Sequence, residues 1–136
     1  MKIVVDTNVL VAGLLTPFGA CGEIVRMISS GALVLFYDAR ILSEYEEVLL
    51  SPKFSFDAEK ISMLIDYIEN SGLAAASLPL PQSLPDQDDE PFLEAAIAGQ
   101  AECLVTGNSS HFPARLCQGV KVLTPSGFQK YFREQQ

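Results

Sequence analysis

Two short runs, Lys2–Val5 (KIVV) and Leu33–Tyr37 (LVLFY), are apolar without alternation, and each is followed at once by an aspartate, Asp6 and Asp38. A strand with one wet face alternates apolar and polar residues. A continuous apolar run of this length is instead buried on both faces, as in a parallel sheet covered by helices. Further strands are expected at Cys103–Val105 and Val120–Leu123, with a weaker one at Leu73–Leu78, where alanine lowers strand propensity. The segments between them carry helical spacing. Gly22–Ser30 has Ile24, Val25, Met27 and Ile28, with Gly31 as its stop. Asp38 opens a helix running to about Leu50, with Ile41, Leu42, Tyr45, Val48 and Leu49 as its stripe. Asp57 caps a helix running to Ser71. Glu90–Gly99, with Gly99 as its cap, and Pro125–Phe132 complete the set, and Val9–Leu15 fits either a short helix or a turn. Buried strands alternating with amphipathic helices make βαβ units, so the fold class is α/β around a central parallel sheet. In such sheets ligands bind beyond the carboxyl ends of the strands.

Length and composition agree with one packed domain over residues 1–136, with 49% hydrophobic and 19% charged residues. The three cysteines, Cys21, Cys103 and Cys117, are too few and too far apart for a disulfide framework or a metal knuckle. A reduced setting follows, and a cytoplasmic location is expected. No apolar run reaches the length needed to span a bilayer, so no membrane partner is expected. The N-terminal stretch resembles a secretory signal only loosely, because Asp6 lies where that pattern is positive or apolar. The net charge of −8 opposes passive binding to nucleic acid or to anionic membranes. It does not oppose chemistry on phosphates carried out through a bound cation.

The acids are the informative residues. Asp6 follows a buried strand directly, at the carboxyl end of the sheet. Glu44 lies three residues after Ile41 and four before Val48, on or beside a buried stripe, where a carboxylate is costly unless it is paired or metal-bound. Asp86, Asp88, Asp89 and Glu90 crowd the start of a helix. The dipole favours acids there, but one cap needs only one of them. Asp89, three before Phe92 and four before Leu93, points along the buried face, whereas Asp86 and Asp88 read as solvated or supporting. Asn108 follows the strand that ends at Val105, after Thr106 and Gly107. His111 is the only histidine, and a lone histidine reads first as a surface or structural residue. Oxygen donors from four segments, without cysteine or histidine, suit a hard cation, Mg²⁺ or Mn²⁺. No phosphate-binding glycine loop or dinucleotide fingerprint is present, so no nucleotide cofactor is expected.

Four segments together carry a resemblance. Val4-Val5-Asp6-Thr7-Asn8-Val9-Leu10, then Leu42-Ser43-Glu44-Tyr45 through Val48-Leu49, then Asp86 to Ala96, and finally Leu104-Val105-Thr106-Gly107-Asn108 with His111-Phe112-Pro113, resemble in order the motifs of PIN-domain nucleases. The likeness is closest to toxin components of bacterial toxin–antitoxin systems, similar to VapC. It implies a three-layer α/β/α sandwich with a central parallel sheet and a metal-dependent ribonuclease acting on RNA phosphodiesters. It also implies a homodimer or higher homo-oligomer, and an antitoxin protein partner that blocks the site. Carried over, Asp6, Glu44 and Asp89 are the metal-ligating, catalytic acids, and Thr7, Asn8 and Thr106 support them. Asn108 stands where many members carry Asp. It keeps an oxygen but removes a charge, which bears on a second metal ion.

Two other readings stay open at this stage. A catalytically silent PIN-like binding or regulatory module is favoured by Asn108 and by a total of only nine Lys and Arg. A phosphotransfer receiver fits Asp38 at a strand end, but Lys121 precedes its strand and Asp6 lacks an acidic neighbour.

Overall fold

The computed structural model describes residues 1–136. Five strands, β1 (Lys2–Val5), β2 (Val34–Tyr37), β3 (Leu73–Ala74), β4 (Leu104–Val105) and β5 (Val122–Leu123), form an all-parallel sheet in the order β3-β2-β1-β4-β5. Six helices flank it: α1 (Thr7–Leu15), α2 (Ala20–Ser29), α3 (Ala39–Leu49), α4 (Ala58–Ser71), α5 (Glu90–Gly99) and α6 (Pro125–Glu134). The arrangement is the α/β/α sandwich expected from the sequence. The strand order departs from that of a receiver, whose second strand lies at the sheet edge.

Starting from β1, the chain builds outward through β2 to β3 and then crosses back over β1 to lay down β4 and β5. The order therefore reverses at the β1–β4 pair, where Val4 is in register with Leu104 and Val5 with Val105. The helices on either side of a reversal diverge, so a crevice opens at the carboxyl ends of these two strands. Asp6 and Thr106 are the residues immediately beyond those ends. The backbone ladder runs on through both: Asp6 N–H donates to the Val105 carbonyl at 2.9 Å, and Thr106 N–H to the Leu123 carbonyl at 3.0 Å.

The weak strand expected at Leu73–Leu78 is shortened to Leu73–Ala74. Ala75 N–H still reaches the Tyr37 carbonyl at 2.7 Å, but the chain then turns away toward Pro79 and cannot continue the ladder. The ambiguous Val9–Leu15 segment is helical and begins earlier, at Thr7. Helix α1 packs closely on α2 because Gly13 has no side chain, and a Cβ there would stand 2.5 Å from the Cys21 carbonyl oxygen. At the end of α5 the capping residue is Gln100, in the left-handed region at φ 53°, and not Gly99. The C-terminal helix docks on the domain through Phe128, which is fully buried.

Two polar anchors fix the carboxyl edge. The Tyr45 ring on α3 is fully buried, and its hydroxyl donates to the Val5 carbonyl, the last one before Asp6. Asp38 caps α3 by accepting from Ile41 N–H at 3.1 Å. Arg40 bridges Asp38 (2.7 Å) to Glu94 on α5 (2.8 Å), and the other Glu94 oxygen accepts from Leu80 N–H at 3.2 Å. The long connection after β3 is thereby tied to the helix that follows it.

Tyr45→Phe leaves the Val5 carbonyl without its donor and should cost about 1–2 kcal/mol in chemical denaturation. Glu94→Ala strips partners from Arg40 and Leu80 at once. A loss of about 2 kcal/mol is expected, below the value for a fully buried pair because half of the Arg40 side chain is exposed.

Candidate functional site

The crevice at the β1–β4 reversal is where most of the sequence-nominated residues meet. Asp6 is 6% exposed. Its Oδ2 accepts from the Thr106 hydroxyl at 2.8 Å and from the Asn8 side-chain amide at 3.3 Å. Although Asp6 occupies the residue before α1, its side chain does not cap that helix. The carboxylate is thus held by Thr106 across the crevice and by Asn8 two residues on. Thr7, one residue on, donates its hydroxyl to Glu44 on α3. Asn8 Oδ1 accepts from Gly107 N–H at 3.1 Å, and Asn108 N–H donates to the Thr106 oxygen at 3.0 Å. Thr7, Asn8 and Thr106 therefore orient the acids, as a supporting set would.

The charges repel each other and are partly shut off from water. Burial pushes the Asp6 carboxyl above its ordinary value, the Thr106 hydroxyl opposes this, and the charge of Asp89 adds to it. Burial also raises Glu44, against the Thr7 hydroxyl, with Asp6 and Asp88 contributing repulsion. Asp89 is raised by burial and by Asp86, with His111 opposing. No Lys or Arg makes an ion pair with Asp6, Glu44 or Asp89. Three desolvated carboxylates of this kind, all oxygen donors, fit a hard divalent cation, which would relieve the cost that burial imposes.

The three acids are not equally close. The set of three whose donor atoms lie within 4.8 Å of one another is Asp86, Asp89 and His111. His111, read from the sequence as a surface or structural residue, places Nδ1 3.2 Å from Asp89 Oδ2, and Asp86 caps the short 3₁₀ turn at Gln87–Asp89 by accepting from Asp88 N–H. Asp6 and Glu44 stand outside that tight set; Asp6 feels the charge of Asp89, and Glu44 feels those of Asp6 and Asp88. The His-Phe-Pro triplet after Asn108 was the available signal for His111; only the folded chain brings it to Asp89. Asn108 itself is exposed, and its side chain makes no hydrogen bond.

The PIN domain family matches residues 2–110, and the chain belongs to that family. It is also similar to the uncharacterized protein MJ1680 of Methanocaldococcus jannaschii, at 26% identity over 111 residues, which cover 79% of this chain and 71% of that protein. Family membership carries a nuclease-type function. No single helix is long and apolar enough to cross a membrane.

The raised carboxyls have a signed consequence. A folded-state value above the unfolded one means that folding favours the protonated acid. The cost is therefore absent below the ordinary values, 3.8 for Asp6 and 4.5 for Glu44, and it grows as pH rises through the folded-state values. Asp6→Asn keeps an acceptor for Thr106 and removes the buried charge. Its melting temperature should exceed that of the wild type at pH 7, with the gap closing at about pH 3. Equal melting temperatures at both pH values would contradict a desolvated, ionised Asp6.

Proposed function

We propose that the protein is a metal-dependent ribonuclease, with Asp6, Glu44 and Asp89 as the acids that hold Mg²⁺ or Mn²⁺. The single observation behind this reading is the set of converging carboxylates, unmatched by any Lys or Arg, at the reversal point of a PIN fold. When bound, a divalent ion supplies Lewis-acid stabilisation of phosphate charge and lowers the pKa of a water molecule. The chain's own part is positional. Thr106 and Asn8 fix the Asp6 carboxylate, and Thr7 fixes that of Glu44, so neither acid needs to reorganise when a cation arrives. Asp89 heads α5, where His111 holds one of its oxygens and leaves the other free. Asn108 presents a neutral oxygen at the mouth, suited to orienting water without adding charge.

The four motifs resembling VapC-like proteins support a narrower assignment, as the toxin of a toxin–antitoxin pair. On that assignment the protein acts on RNA as a homodimer and is silenced by an antitoxin protein. Expression of the wild type should arrest growth and Asp6→Asn should not, and a small neighbouring reading frame should relieve the arrest. One observation favours the rival reading of a catalytically silent module: the neutral, exposed Asn108 stands where an acid would strengthen the site.

Two measurements separate the readings. With Mn²⁺ the wild type should cleave RNA and Asp6→Asn should lose at least about a hundredfold in rate, as expected when a charge-organising group is removed. Equal rates would sink the assignment of Asp6. Independently of activity, Mn²⁺ at about a hundred times its Kd should stabilise the wild type by about 2.7 kcal/mol in thermal unfolding, and should stabilise Asp6→Asn less. A silent module without a metal site would show no such shift.

A further inference from the structure

Two short 3₁₀ turns meet at the carboxyl edge of the sheet. Gln87–Asp89 precedes α5, and Ser109–His111 follows β4. The second turn is fixed by the His111 N–H, which donates to the Asn108 carbonyl at 2.9 Å, and by the burial of Phe112 beside it. His111 Nδ1 thereby stands 3.2 Å from Asp89 Oδ2, and one donor atom each from Asp86, Asp89 and His111 fall within 4.8 Å of one another. Asp86 Oδ1 accepts from Asp88 N–H at 2.9 Å, which leaves its Oδ2 unengaged. No Lys or Arg pairs with either acid.

From this geometry we propose that His111 is a nitrogen ligand of a divalent cation held with Asp86 and Asp89, at a position apart from Asp6 and Glu44. The inference deepens the metal-dependent reading, with which it shares Asp89, by naming the class of ion this position takes: Mn²⁺, Co²⁺ or Zn²⁺, and not Mg²⁺. A charge-assisted N–H···O bond runs about 2.7–2.9 Å, so 3.2 Å is long for one. A cation with bonds of about 2.1 Å sets adjacent ligands about 3.0 Å apart in an octahedron and about 3.4 Å apart in a tetrahedron. The observed separation lies between these two edges. An ion can therefore replace the proton shared by Nδ1 and Oδ2 with little movement of either group, and the other Asp89 oxygen stays available to the crevice. An ion pair of His111 with Asp89 alone leaves Asp86 as a further negative charge beside it, whereas a divalent ion neutralises both carboxylates. The imidazole sets the preference. Mg²⁺ takes oxygen donors and keeps its waters, while a nitrogen donor favours the transition metals and zinc. Asn108 brings no charge to the strand end, and His111 supplies a donor from the turn that follows it.

The test is pulsed electron paramagnetic resonance of tag-free protein titrated with Mn²⁺ from sub-stoichiometric to saturating, in which a coordinated imidazole nitrogen couples to the electron spin. His111 is the only histidine, so such a coupling has one source. Wild type should show it, and labelling histidine with ¹⁵N should change it, a readout that needs no variant. Asp6→Asn should keep the coupling. His111→Ala should lose it and raise the Kd for Mn²⁺ at this position at least about tenfold, the least expected when even an outer partner of a metal is removed. A large excess of Mg²⁺ should leave the coupled ion in place. Bound Mn²⁺ without nitrogen coupling in the wild type overturns the role of His111 and leaves Asp6, Glu44 and Asp89 as the metal-holding acids. A coupling that disappears in Asp6→Asn overturns the separate position, and ready displacement by Mg²⁺ overturns the preference. No bound Mn²⁺ at all overturns the metal-dependent reading, and this inference with it.

Discussion

A buried carboxylate at the reversal point of the sheet is the constraint around which the rest of the site is arranged. Asp6 is nearly excluded from water, yet it has no Lys or Arg partner. Such a group survives in a folded protein only if it is hydrogen-bonded, and it is, by the hydroxyl of Thr106 and the amide of Asn8. The Thr106 bond exists only because β1 and β4 are adjacent. Their adjacency in turn requires the chain to cross back over β1 after completing β3. Tyr45 adds a third restraint by tying α3 to the Val5 carbonyl, one residue before the acid. Glu44 is on the same helix one position earlier, so the anchor that holds α3 down also sets where Glu44 stands.

The overall charge is better understood as a distribution than as a sum. A net charge of −8 is a poor advertisement for a protein that handles phosphates. Part of that charge, however, is organised inward: Asp89 repels Asp6, Asp6 repels Glu44, and Asp86 and Asp88 add to the field at the rim. A divalent ion in such a place reverses the local sign. The other charge cluster of the carboxyl edge serves a different end. Asp38 and Glu94 share the one Arg40 guanidinium and secure the connection between β3 and α5. One edge of the sheet thus carries an ion-paired network for structure and a set of acids without a Lys or Arg partner, suited to a cation.

Much of the framework was legible in local pattern. Continuous apolar runs marked β1 and β2 because burial on both faces leaves no position for a polar residue. The caps Asp38 and Asp57 were readable because a carboxylate before a helix has a local partner in the first turn. The failures were local as well. The strand after Gly72 shrank to two residues, and α5 ended on Gln100, where a neighbouring glycine had looked the natural cap. Single-residue boundaries depend on what packs against them, which spacing does not record.

Residue type and periodicity, which are properties of neighbouring positions, singled out the candidate residues and the kind of element on which each sits. Tertiary structure alone decided which of them meet. Thr106 and Asp6 are a hundred residues apart, and His111 reaches Asp89 over twenty-two. No pattern within either segment encodes those pairings. His111 therefore moved from a structural reading to a place against an acid. The physical reason is the same for both pairings. Long-range side-chain contacts are set by the order in which parallel strands are laid down and by the crossovers that link them, and that order becomes visible only when the sheet is assembled.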